Sequence, residues 1–232
     1  MIRLLALLLC LHTGPVLAGA WPREAGTAFV SLSHWQAVRG GDSYTALFAE
    51  WGLTPRLTLG FDAGRFVSGE TKTVLFLRAP VMDWLGVKVA AEIGYGEIAG
   101  QSVIRPGLSF GRALDGRFGA GWLAVDTLLE YEIETQDIDV KADITLGFTP
   151  QRAEGEAARW TLMVQVQTGL VAVNEGIWLL RETGQRPDPS FLRIVPSVTY
   201  QLREGIDLEL GLYQSLTGSD ERGVKLGIWS RF

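Results

Sequence analysis

The 232-residue chain has one cysteine, Cys10, and two histidines, His12 and His34. Cys10 falls within Met1–Ala20, so the rest of the chain has no thiol and no disulfide can hold its fold. Zinc-ligand spacings and phosphate loops are missing as well. A Ser–His hydrolase needs the two side chains within about 2.6–3.2 Å of each other. Leu32 and Gln36 share the strand face of His34 while Ser33 points the other way, so a packing or interface role is expected for that histidine. Interior acids leave a carboxylate-based hydrolase conceivable, but no catalytic pair stands out. The chain is read as a non-enzyme without a cofactor. Beyond residue 20 it also lacks any apolar run of the ~20 residues that a membrane-spanning helix requires. Basic excess is missing too: 21 Lys and Arg against 26 Asp and Glu give a net charge of −5, which argues against nucleic-acid binding.

Met1–Ala20 has a cationic start at Arg3, an apolar run Leu4–Leu11, a break at Pro15 and small residues at Ala18-Gly19-Ala20. This is the layout of a cleaved secretory leader, and cleavage after Ala18 or after Ala20 fits equally. Leu7-Leu8-Leu9 before Cys10 lacks the small residues of a lipoprotein signal. Residues 21–232 then form one domain, without linker or low-complexity tract. The whole chain's 28 glycines, 8 tryptophans and mean hydropathy of +0.16 describe a greasy sequence whose apolar residues are dispersed in alternation.

That alternation has a period of two, the signature of a strand between an apolar and a polar medium. It predicts twelve strands, near Gly26–Val38, Ser43–Leu53, Arg56–Phe66, Thr71–Pro80, Trp84–Glu97, Gln101–Arg112, Arg117–Glu132, Asp137–Thr149, Arg159–Val171, Ser190–Leu202, Ile206–Ser215 and Arg222–Phe232. In the eighth, Ile138, Val140, Ala142, Ile144, Leu146 and Phe148 form one face and Asp137, Asp139, Lys141, Asp143 and Thr145 the other. A soluble sandwich would bury a polar-free core between sheets. A recurring apolar face opposite acids, bases and amides instead suits an all-β, antiparallel up-and-down transmembrane barrel with lipid outside and a polar lumen.

The last strand carries Val224, Leu226, Ile228 and Phe232 on one face and Lys225, Trp229 and Arg231 on the other, and Phe232 is terminal. It resembles the closing strand of Gram-negative outer-membrane barrels, whose final Phe is read by the assembly machinery. The resemblance implies an outer-membrane location with both termini periplasmic, lipid and lipopolysaccharide as surroundings, and the assembly machinery as a partner through Phe232. Trp51, Phe110, Phe148, Trp160, Tyr200 and Phe232 are expected as one aromatic girdle, with Tyr95 and Tyr131 in the other. Short periplasmic turns are expected at Leu53-Thr54-Pro55, Val81-Met82-Asp83, Leu114-Asp115-Gly116 and Arg203-Glu204-Gly205. The long outer connection, Ala172–Pro189, contains the apolar Gly176-Ile177-Trp178-Leu179-Leu180 and either constricts the lumen or meets lipid or a partner.

The stretch Glu50-Trp51-Gly52-Leu53-Thr54-Pro55-Arg56-Leu57-Thr58-Leu59-Gly60 resembles the strand–turn–strand of the MetA-pathway phenol-degradation group of outer-membrane transporters. Over that one hairpin, the resemblance implies a channel for small molecules, hydrophobic ones among them. It carries no functional residue across.

The candidate pore-lining residues are Lys72, Arg78, Lys88, Glu92, Arg105, Asp126, Glu130, Asp139, Asp143 and Arg193. They suggest a basic wall on strands four to six beside an acidic wall on seven and eight, a transverse field that would set selectivity for small solutes. The alternative is a lumen filled by cross-strand ion pairs. A tight turn at Ile98-Ala99 would put Glu92 opposite Arg105 and favour it. An outer hairpin turning at Glu134-Thr135 would set Glu130 against Asp139 and Glu132 against Asp137, destabilising like-charge pairs that calcium or lipopolysaccharide phosphates could bridge. A solvated acidic mouth is the other outcome. A narrow passive channel is therefore expected, with a closed structural barrel binding lipopolysaccharide or a partner protein as the alternative.

Overall fold

The structure, a computed structural model, describes residues 19–151, 157–171 and 191–232. The loop expected at Ala172–Pro189 and most of the leader lie outside them. Twelve antiparallel strands run in chain order: β1 (Ala28–Arg39), β2 (Tyr44–Thr54), β3 (Leu57–Phe66), β4 (Thr71–Trp84), β5 (Val87–Ile98), β6 (Gln101–Ala113), β7 (Gly119–Glu132), β8 (Ile138–Pro150), β9 (Trp160–Leu170), β10 (Phe191–Arg203), β11 (Ile206–Thr217) and β12 (Arg222–Arg231). Each pairs with its sequence neighbours, and β12 pairs with β1 to close the barrel. Leu32 faces Ile228 and Val30 faces Ser230 across this seam. Its end is sealed by Ala28 N donating to the Phe232 carbonyl at 3.1 Å and Phe232 N to the Ala28 carbonyl at 3.0 Å. Closure leaves no strand edge, which lipid would not tolerate.

The predicted faces form. Leu75, Leu77, Ile93 and Tyr95 on β4 and β5, and Leu208, Leu210 and Leu212 on β11, lie exposed on the outer wall. Phe76, Arg78, Glu92, Arg105 and Glu209 are buried on the inner one. The expected girdle residues Trp51, Phe110, Phe148, Trp160, Tyr200 and Phe232 are all exposed. They lie at the end of the barrel that holds the C-terminus and the start of β1.

Two corrections concern turns. β4 does not stop at Pro80 but continues to Trp84, so Val81-Met82-Asp83 belongs to the strand and the turn falls at Leu85-Gly86, both with positive φ. The ladder shifts between Pro80 and Met82, and a bulge is where a proline can sit inside a strand without losing a ladder hydrogen bond. The β5–β6 turn is one residue later than expected, at Ala99-Gly100, with Ile98 opposite Gln101. Two other prolines interrupt pairing. The β6–β7 ladder skips from Ile104–Tyr131 to Gly107–Leu128 around Pro106. The β10–β11 ladder likewise skips from Ile194–Gln214 to Ser197–Gly211 around Pro196, since neither ring nitrogen can donate.

Large inner side chains rest on glycines directly across the ladder, Phe76 on Gly60 of β3 and Trp122 on Gly147 of β8. A Cβ at Gly60 would come within 1.9 Å of the Phe76 ring, and one at Gly147 within 2.2 Å of the Trp122 ring. Gly60→Val is therefore expected to over-pack the lumen and cost about 1–3 kcal/mol. Urea unfolding of the detergent-folded protein, followed by its compact gel form, should show the lower midpoint.

Candidate functional site: the lumen

The inner wall is organised by one continuous chain of opposite charges across β2 to β6. Arg23, just ahead of β1, donates from Nε to Glu50 at 2.7 Å. Glu50 also takes Nη1 of Arg78. Arg78 reaches on to Glu92, with its Nε 3.0 Å from Oε2. Arg105 lies 3.6 Å from Glu92 Oε1 and 2.6 Å from Asp62 Oδ2. Lys72 closes the far end on Asp62 at 2.8 Å. The guanidinium groups of Arg78 and Arg105 sit over the Phe76 ring at 4.9 and 5.6 Å, so the aromatic supports both cations. Arg105 is only 2% exposed. Such groups are stable when buried only because each finds charged hydrogen-bonding partners.

This arrangement differs from two basic and acidic walls. Lys72, Arg78 and Arg105 do lie on β4 and β6, but Glu50 and Asp62, which the sequence reading did not single out, interleave with them. Glu92 faces Gly107 rather than Arg105, because of the shifted turn, and Arg105 faces Gly94. The ion pair nevertheless forms diagonally, over a distance that long side chains span. Lys88 stays out of the network. It sits one residue inside the β4–β5 turn, two-fifths exposed, with Nζ 2.8 Å from Asp83.

On the acidic side, Glu130 faces Asp139 across β7–β8 as expected. Lys141 relieves the repulsion by bonding Glu130 and lying 4.0 Å from Asp139. The metal reading of Glu130, Glu132, Asp137 and Asp139 thus gives way to a lysine already in place. Among the described residues no group of three or more potential metal ligands converges anywhere. At the tip of that hairpin the Glu134 carboxylate accepts the Ser102 N–H at 3.0 Å, and hydrogen bonding first from the Ser102 side chain and then from backbone N–H groups holds it below the usual carboxylate range. Arg193 on β10 pairs with Glu221 and lies 5.2 Å above the Tyr213 ring, beside Trp35. Lys225 meets Glu209 at 2.7 Å, and Arg231 pairs with Asp207. His34 is on the outer wall, with Nδ1 2.9 Å from Thr45 Oγ1 and Nε2 3.4 Å from Gln36. Ser33 lies inside, accepting from Trp35 Nε1.

Asp126 and Asp143 are exceptions to this pairing. They face each other directly across β7–β8. Among the described residues neither lies within ion-pair distance of a cation, and Asp143 has Gln165 Nε2 at 3.3 Å. The sequence reading also missed the segment before β1. Gly19 lies against Asp126, Trp21 covers Gly111 and packs on the Trp122–Ala124–Met163 cluster, and Ala20 is 1% exposed. This segment carries no periodic pattern that could have revealed it. A cavity of about 260 Å³ remains in the lumen, lined by Phe29, Phe48, Trp122, Asp126, Lys225 and Trp229 among others.

A closed twelve-stranded barrel of this kind is the fold of several outer-membrane porins and channels of known structure. The KdgM porin superposes with a TM-score of 0.58 at 6% identity, covering 88% of this chain and 99% of its own. The NanC porin gives 0.61 at 7% identity, covering 86% and 98%. The COG4313 outer membrane channel from Pseudomonas putida F1 gives 0.53 at 12% identity, covering 94% and 99%. No protein-family model matches the sequence, and no curated protein matches it either.

Because Arg105 is shared by Glu92 and Asp62, which keep Arg78 and Lys72, Arg105→Met should destabilise the barrel by less than the about 3–5 kcal/mol of a fully stranded buried charge. Adding Glu92→Gln and Asp62→Asn to the same chain should recover part of that loss in the same unfolding measurement.

Proposed function

We propose that the protein is a narrow, passive outer-membrane channel for small solutes. The observation that carries this reading is the lumen itself. It is lined by charges and amides along its length, and it keeps a cavity of about 260 Å³ beside the ion-paired network rather than a dry core. The exposed apolar belt with its aromatic girdle supports a lipid setting, and the likeness of the fold to porins supports an outer-membrane one. An export leader ending at Ala18 or Ala20 is cleaved, both termini face the periplasm, and lipopolysaccharide surrounds the outer rim. Terminal Phe232, exposed at the seam that closes the barrel, presents the signal for the assembly machinery.

Reconstituted in planar bilayers, the protein is expected to give small, discrete current steps; none above background would favour a closed structural barrel, for which the dense ion pairing would then be the reason. Since all other lumen charges described above are paired, Asp126 and Asp143 are expected to make the channel prefer cations. The reversal potential in a KCl gradient should move toward zero in Asp143→Asn and, by a smaller amount, away from zero in Lys88→Glu, whose charge lies at the rim beside Asp83. An unchanged potential in Asp143→Asn would count against this assignment of the selective wall.

A further inference from the structure

The two unpaired carboxylates and the cavity beside them form more than a selectivity wall. Like charges directly opposite each other in a sheet destabilise it unless something intervenes. At Glu130–Asp139 the chain supplies Lys141, whereas at Asp126–Asp143 the described residues supply no cation. Asp126 Oδ1 is fully buried and accepts no hydrogen bond; it rests against Gly19, where a Cβ would come within 2.1 Å of it. Trp122 is one inward position along β7 beyond Ala124 from Asp126, and Trp229 stands on the opposite wall of the same cavity. The Trp229 ring is held by its N–H donating to Glu209 at 3.1 Å and by an edge contact with Phe29. Asp126, Trp122 and Trp229 line one cavity, and Lys225 on the same lining is held by Glu209. A carboxylate beside tryptophan rings is the complement of an ammonium group on an apolar body, held by charge and by cation–π contact. A hard divalent ion would need six or more oxygen ligands, and two carboxylates fall short of that.

We propose that the cavity lined by Asp126, Trp122 and Trp229, with Asp143 directly across the ladder from Asp126, is a binding site for an organic ammonium ion, the solute class this lumen selects. The inference rests on the lumen being a solute path only in that the cavity must be reachable from water. The ammonium has two conceivable sources. One is a free arylalkylamine, which the aromatic lining favours. The other is the chain's own α-amine, which leader cleavage after Ala18 would create at Gly19, in contact with Asp126.

Isothermal titration of the purified, detergent-folded mature protein with phenylethylammonium chloride tests this without any conductance measurement, so a barrel that fails to conduct can still pass. Saturable binding is expected for the amine and none for phenylacetate. The double variant Asp126→Asn/Asp143→Asn should weaken binding at least about tenfold, and Trp229→Leu by about three- to tenfold. The same titration on a chain whose processed end begins at Trp21 separates the sources. If that chain binds and the Gly19-ended chain does not, the site's own ligand is the α-amine. Both variants must keep the compact gel form of the folded barrel. Binding of phenylacetate as strong as that of the amine, binding unchanged in the double Asn variant, or no binding by either mature form would overturn the proposal.

Discussion

The structure depends on barrel closure at a fixed and small circumference. A strand in lipid must pair its backbone on both sides, so the sheet has to end where it began, and here it does so after twelve strands with β12 on β1. That number lies between barrels whose interiors side chains fill and the 16–18 strands of open aqueous pores. Everything inside follows from the restriction. Charged side chains that would be solvated in a wide pore instead pack against one another, and they are stable only with partners within hydrogen-bond reach. The run from Arg23 through Glu50, Arg78, Glu92, Arg105 and Asp62 to Lys72 meets that demand across five strands.

Glycines on the inner face make room for the aromatic rings of the neighbouring strand. Phe76 supports two guanidinium groups only because Gly60 opposite leaves room for its ring, and Trp122 reaches the cavity over Gly147 for the same reason. Aromatic rings and glycines therefore divide the bore. On the β2–β6 side the space is taken up by paired charge, and on the β7–β12 side it remains as a cavity between Trp122 and Trp229.

The outer face was largely legible in the sequence, because lipid imposes one simple requirement on every second residue. The twelve strands, their faces, the seam at Phe232 and the girdle residues could be read from a period of two. The lumen was less so. Inward orientation follows from the same period, but the partner of each inward charge depends on strand register, and a turn displaced by one residue moved Glu92 from Arg105 to Gly107. Glu50 and Asp62 were overlooked because each is a single acid amid small and apolar neighbours, and only the fold brings them to Arg78 and Arg105. Pro80 misled for the opposite reason. Proline ends strands by default, and only the bulge at Pro80–Met82 lets β4 run on to Trp84. Gly19-Ala20-Trp21 and Arg23 have no alternation around them, so their place inside the barrel had no signature in the sequence at all.

Pairing and its exceptions are thus two consequences of one geometry. The cations inside the barrel already belong to other acids: Lys141 to Glu130, Lys225 to Glu209, Arg231 to Asp207 and Arg193 to Glu221. Moving any of them toward Asp126 or Asp143 would strand the acid it left. The residual charge at mid-lumen is therefore fixed by the pairing around it, and it coincides with the part of the bore that the aromatic side chains leave open. A solute that fits there must bring its own positive charge, or it leaves two facing carboxylates uncompensated in a partly desolvated space.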